Sequence, residues 1–179
     1  MRILVLGGGR FLGPSIIRAA IARGWEVAAF NRGQTSSVPS GAKTIVGDRT
    51  NLADLRRLAE ERWDGVVDTW SGAPRVVRDA ARALASSAER YMYVSSRSVY
   101  RWPPPHGADE TAPVVAADPD ADASDYPADK RGGELAAQRE FGSGRVGLLR
   151  AGMILGPRED VGRLPWWLTR IAEGGRVLA

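Results

Sequence analysis

The feature that most constrains this chain is a rhythm. Short apolar runs alternate with segments of helical periodicity from one end to the other. Residues 1–6 form an apolar run that stops at Gly7, and residues 11–23 follow with a helical repeat that ends before Gly24. Pro14 fits the first turn of that helix, where its missing N–H costs little. Further strands are expected over 25–30, 43–46, 65–70, 90–95 and 146–150. Helices are expected over 51–61, 74–87, 126–141 and 164–173. Apolar runs without an in-out alternation suit strands buried on both faces. Strand–helix alternation of this kind builds a parallel sheet, because each crossover needs a helix and lays it back on the sheet. The expected fold class is therefore α/β, a Rossmann-type doubly wound sheet with helices on both faces.

Composition narrows the function class. The chain has 179 residues, enough for one domain with its own core. It contains no Cys, so disulfides and thiolate chemistry are excluded, and a single His makes a histidine metal centre improbable. No apolar run is long enough to span a bilayer, and the first residues lack the pattern of a signal peptide, so a cytoplasmic location is expected. The formal charge is +4. That modest excess comes with no interleaving of basic and aromatic residues, so nucleic acid is not an expected partner. Only Lys43 and Lys130 are lysines among 25 basic residues. Residues 101–125 break the rhythm: they are rich in Pro, Ala and Asp, with six acids and one base. Such a length of loop is either functional or a loose surface insertion.

Gly7-Gly8-Gly9-Arg10-Phe11-Leu12-Gly13 lies between the first strand and the first helix. A pyrophosphate needs a backbone that turns tightly, approaches closely and offers free N–H groups at a helix start. Gly7, Gly9, Arg10, Phe11, Leu12 and Gly13 are the candidates for that contact. The next strand ends in Asn31-Arg32, where an NAD-binding chain commonly has an acid for the ribose hydroxyls. Asn31 does not repel a 2′-phosphate and Arg32 can pair with one, so NADP is expected ahead of NAD. Arg32 is equally one of many surface arginines. Asp48 and Arg49, after the third strand, are candidates for the adenine end. For Asp48 a turn or capping role ahead of Asn51 competes with that reading.

Tyr126 and Lys130 stand four apart at a helix start and share a face. A phenol is a weak acid-base group, and an ammonium beside it favours the phenolate. In a chain that uses Arg almost everywhere, a Lys at this place is informative. Ser95 and Ser96 close the fifth strand, at the carboxyl edge where parallel sheets bind ligands. Asp125 or Ser124 can cap the helix.

With these motifs in order, the chain resembles the extended or atypical short-chain dehydrogenase/reductases of the NAD-dependent epimerase/dehydratase type. The resemblance rests on Gly7 to Gly13, Ser95 to Tyr100, the Tyr126/Lys130 pair, and Arg150-Ala-Gly-Met-Ile-Leu-Gly-Pro157. It implies Ser96 as the hydroxyl that positions substrate, Tyr126 as general acid/base, and Lys130 as the holder of the nicotinamide ribose. It implies hydride transfer on a small carbonyl or alcohol substrate, nucleotide-sugar-like, and a homodimer through the helices at 74–87 and 126–141. Departures exist. Arg10 replaces the middle glycine, which resembles a subgroup with reductase-like members and RNA-binding members. A non-catalytic scaffold or RNA-associated protein of the same fold is therefore the alternative. Family members run considerably longer, so the resemblance implies a shortened form, with residues 1–160 as an NAD(P)-binding Rossmann domain and 161–179 as the start of an incomplete substrate-binding region.

Overall fold

The computed structural model describes residues 1–34, 38–159 and 161–176. Its sheet has six parallel strands in the order β3-β2-β1-β4-β5-β6. The strands are β1 (Arg2–Leu6), β2 (Glu26–Asn31), β3 (Lys43–Val46), β4 (Trp63–Asp68), β5 (Ala88–Ser96) and β6 (Val146–Ala151). The helices are α1 (Leu12–Ile21), α2 (Leu52–Leu58), α3 (Pro74–Leu84), α4 (Tyr126–Phe141) and α5 (Arg163–Ala172). The chain winds outward from β1 in one direction and returns from β1 through β4 in the other. The order therefore reverses beside β1, which opens a crevice at the carboxyl edge of the sheet.

Alternation along the strands sorts the core into two layers. Leu4 and Leu6 of β1 join Phe30, Leu55, Leu58, Val77, Leu84, Tyr91 and Phe141 under α2, α3 and α4. Ile3 and Val5, one residue out of phase, join Val27, Ala29, Ile17 and Ala20 under α1. Side chains of period two face opposite sides of a strand, so one apolar run feeds both layers. That is why β1 reads as a continuous apolar run.

Most expected elements appear within two or three residues of their expected ends. The fourth strand is displaced: it covers 63–68 rather than 65–70. Trp70 leaves the ladder because its N–H turns back to the Asp68 carboxylate, at 2.9 Å. In α2 the cap is Asn51, whose side chain accepts from the Ala53 N–H at 2.9 Å, and not Asp48. None of the described residues of α5 is buried, and Trp166, packed edge-on against Trp167, is 57% exposed. No helix among the described residues is long and apolar enough to cross a membrane.

The loose-insertion reading of 101–125 meets an ion-paired strap. Asp120 accepts from Arg78 at 2.8 Å and from both terminal nitrogens of Arg139 at 2.7 and 2.8 Å, so it ties α3 to α4. Asp122 pairs with Arg75, whose backbone N–H also donates to the Ala121 carbonyl at 3.2 Å. The apolar positions of α3 and α4 are spent on each other and on the sheet. Their outer positions, including Arg82 paired with Glu140, carry charge rather than an apolar patch. Because these pairs are exposed, salt weakens them, and at 1 M the screening length falls to about 3 Å. Limited proteolysis should therefore cut within 101–125 faster in Asp120→Asn than in the parent, and faster in the parent at high salt than at low. Equal rates under all conditions would assign the order of the strap to something other than these charges.

Candidate functional site

The carboxyl edge of the sheet opens into a cavity of about 760 Å³. Its wall contains the glycine turn, Asn31, Arg32, Asp48, Arg49, Trp70, Ser96, Tyr126 and Lys130. Residues far apart in sequence thus converge because every parallel strand ends on this edge.

The glycine turn is built for close approach. Gly7 has φ +100°, and a Cβ there would collide with the Thr69 hydroxyl. A Cβ on Gly13 would collide with the Gly7 carbonyl and lie 2.8 Å from Gly8 Cα. Only hydrogen at both places lets α1 start directly against the turn, with its N-terminal N–H groups at the cavity. Gly8 serves packing: a Cβ would stand 2.7 Å from Ala29 Cβ. Phe11, at the N-cap of α1, holds φ 38°, an uncommon conformation for a residue with a side chain. Arg10, Phe11 and Leu12 line the cavity beside Gly7 and Gly9.

At the end of β2, the Asn31 Oδ1 accepts from the Gly33 N–H at 2.8 Å. Its Nδ2 is buried with no hydrogen-bond partner, in the wall of the cavity. Buried donors are nearly always paired, so this one calls for an acceptor from a ligand or water. Arg32 is exposed on the same rim. Asp48 Oδ1 accepts from the Thr50 N–H at 2.8 Å and from its hydroxyl at 2.7 Å. These bonds hold its carboxyl below the usual range, with Arg32 and Arg49 adding to the effect.

Arg49 lines the cavity, with its guanidinium already engaged by the protein. Its guanidinium makes a bidentate pair with Asp68, at 2.6 and 2.7 Å, and lies 4.9 Å from the Trp70 ring. Asp68 is fully buried and also accepts from the Tyr91 hydroxyl at 2.6 Å. Burial pushes the Asp68 carboxyl up, but the Arg49 charge and these donors outweigh it and hold it below the ordinary value. An unpaired carboxylate at this depth would be prohibitive, so Arg49, in the cavity wall, turns its guanidinium to Asp68.

β5 delivers two serines with different fates. Ser95 lines the cavity, with its hydroxyl proton committed to Glu134 at 2.6 Å. Ser96 accepts from the Ser98 N–H at 3.1 Å, a bond that does not use its own proton. Tyr126 is the first residue of α4 and half exposed at the mouth of the cavity. Its place is fixed by Asp125, which caps α4 through the Ala128 N–H at 2.8 Å, and by Asp129, which accepts from the Ser124 N–H and hydroxyl at 2.7 and 2.9 Å. One turn on, the Lys130 ammonium donates to the carbonyls of Trp70 and Val94, at 2.5 and 2.7 Å, and lies 4.9 Å from the Tyr93 ring. Burial pulls it down to about 8, with Asp68 and Glu134 opposing the fall and Arg49 adding to it.

Three residues at this site escape a reading of motifs: Asp68, Trp70 and Glu134. Glu134 is fully buried and accepts from Ser95, from Arg131 at 2.8 Å, and from Arg150 at 2.8 and 3.0 Å. It stands four residues after Lys130, as Lys130 stands four after Tyr126, and that continued spacing is the signal that finds it. Asp68 has only the weaker signal of a charged residue closing an apolar strand.

The sequence model of the NAD dependent epimerase/dehydratase family matches residues 3–179. No curated protein matches the chain. Among solved structures, the Bordetella bronchiseptica enzyme WbmG in complex with NAD and UDP superposes with a TM-score of 0.76 at 21% identity, over 99% of this chain and 61% of that one. A putative epimerase from Burkholderia cenocepacia gives 0.76 at 22% identity, over 96% and 61%. The Thermus thermophilus UDP-glucose 4-epimerase complex with NAD gives 0.72 at 23% identity, over 99% and 64%. The chain thus spans 61 to 64% of the length of these structures. With nearly every residue inside the family's sequence model, the chain belongs to the NAD-dependent epimerase/dehydratase family.

Proposed function

We propose that this domain binds a nicotinamide dinucleotide and that the protein uses it for hydride transfer on a small carbonyl or alcohol substrate, nucleotide-sugar-like in kind. One observation carries the reading: a single cavity is lined at once by the glycine turn, by Asn31 and Arg32, and by Ser96, Tyr126 and Lys130. The orphaned Asn31 Nδ2 fits a ligand that offers an acceptor, and the absence of a Cβ at Gly7 and Gly13 lets the turn pack closely enough to bring the α1 N-terminus to the cavity. The dinucleotide supplies the hydride acceptor or donor. The turn and the α1 N-terminus hold its pyrophosphate by N–H donation. Lys130 meets the ribose and places a positive charge near Tyr126. Tyr126 gives or takes the substrate proton, and the Ser96 hydroxyl donates to the substrate oxygen.

The preferred form in this proposal is NADP, supported by Arg32 on the rim and Arg10 in the turn. The structural neighbours crystallised with NAD set the competing expectation. Titration with NADPH and NADH, followed by tryptophan fluorescence with Trp70 in the cavity wall, decides between them. NADPH should bind about ten times more tightly, since a charge-assisted contact at an exposed arginine falls at the low end of about 1.5–3 kcal/mol, and Arg32→Ala should bring the two together. Equal affinities would overturn the NADP preference. No binding of either would overturn the dinucleotide reading and favour a scaffold.

A further inference from the structure

We propose that the buried Arg49–Asp68 ion pair is the positioning element for Lys130: it fixes the Trp70 peptide, and that peptide's carbonyl holds the ammonium in the cavity wall. The inference deepens the proposed function and rests on its assignment of Lys130 to the dinucleotide.

The geometry forms a continuous chain. Asp68 closes β4 with no exposed surface and receives four donors: Arg49 twice, the Tyr91 hydroxyl and the Trp70 N–H. The last bond bends the backbone out of the ladder two residues after the carboxylate. The Trp70 carbonyl then accepts from Lys130 at 2.5 Å and from the Tyr93 hydroxyl at 3.2 Å. The Arg49 guanidinium also faces the Trp70 indole, whose N–H donates to the Ala73 carbonyl at 3.1 Å. Trp70 is therefore held at its N–H, its carbonyl, its ring face and its indole nitrogen. Three of those four holds bear on Asp68, Arg49 or Lys130.

Stability alone is a weak reason for such an arrangement. Well-packed apolar residues often serve a core as well as a buried ion pair does, whereas removing one partner is severe. A buried pair does supply a rigid anchor and a fixed local field. Lys130 sits in that field. Asp68 faces it from β4 and Glu134 from its own helix, and Arg49 faces it from the segment after β3. The Tyr93 ring lies against it from β5, and Tyr126 precedes it by one turn on α4. Carboxylates favour the ammonium, and burial and Arg49 oppose it. The pair thus acts on both the place and the charge of the lysine.

The chain has only two lysines, so protein labelled with ¹³C-lysine gives two side-chain signals whose Cε shifts follow protonation. Lys43, exposed and paired with Glu61, is the internal reference. The parent Lys130 should titrate near pH 8, and Asp68→Asn should lower that midpoint by about one pH unit. Asp68→Asn/Arg49→Gln removes both charges together and serves if the single variant does not fold. There the midpoint should still fall, by about half a pH unit, because Asp68 acts on Lys130 more strongly than Arg49 does. A Lys130 midpoint that is unchanged in a folded variant would overturn the proposal. One that climbs toward the free-lysine value of about 10.4 supports it, because that reports an ammonium released from its two carbonyls once the Trp70 peptide is no longer held. The readout needs no dinucleotide. Failure of NADPH and NADH to bind would sink the functional reading without touching this result.

Discussion

Glu134→Ala should destabilise the domain by about 3–5 kcal/mol, the cost of breaking a buried ion pair by removing one partner. The carboxylate is fully buried and is the common acceptor for Ser95, Arg131 and Arg150. Arg150, itself mostly buried, also donates to the Tyr100 hydroxyl at 3.0 Å and the Glu110 carbonyl at 3.1 Å. One deletion therefore leaves a buried guanidinium without its counter-charge and unties α4 from β5, β6 and the start of the strap. Glu134→Gln keeps an acceptor and should cost less, about 1–3 kcal/mol. Urea unfolding at constant slope measures both. Acid supplies a second check. Burial pushes the Glu134 carboxyl up, but Arg150, Ser95 and Arg131 outweigh it and hold it below the ordinary value of 4.5. A group lowered on folding contributes its stability above its unfolded value and loses it as pH falls through its folded one. The gap between parent and Glu134→Ala should therefore be full at pH 7 and shrink below about pH 4. A gap independent of pH would mean that Glu134 acts by packing rather than by charge.

Tyr126→Phe should lower turnover of the whole protein by about 100- to 10,000-fold, the range of a lost acid-base group, with dinucleotide affinity unchanged within about twofold. Tyr126 is half exposed at the first turn of α4, so removing its hydroxyl opens no cavity. Both kcat and kcat/KM should fall together, because a proton-transfer contact exists only in the transition state. The measurement is oxidation of the reduced dinucleotide with the first carbonyl substrate that supports it. Full turnover by Tyr126→Phe would remove the acid-base role assigned here.

The fold was legible because each element carries its own local signal. β1 ends at a glycine, α1 has Pro14 in its first turn, and α4 has Asp125 at its cap. The parallel order followed from alternation, since a crossover helix between strands admits little else. Tyr126 and Lys130 were legible as well, because a helix repeats locally and four residues suffice to place two side chains on one face. The same rule extended by four more residues reaches Glu134.

What sequence could not show is what each side chain spends itself on. Arg32 and Arg49 look alike in an arginine-rich chain, and both line the cavity, yet one stands exposed and the other is paired with buried Asp68. Ser95 and Ser96 both line the cavity, yet one commits its hydroxyl to Glu134 while the other accepts from the Ser98 N–H. Asp120, in a stretch that reads as loose, bridges two helices. Hydrogen bonds and ion pairs between residues 19, 39 or 42 positions apart leave no periodic trace. Local spacing determined the strands, the helices and the turn. Tertiary structure alone decided which charges are buried together, because a buried charge must find its partner wherever the folded chain brings one near.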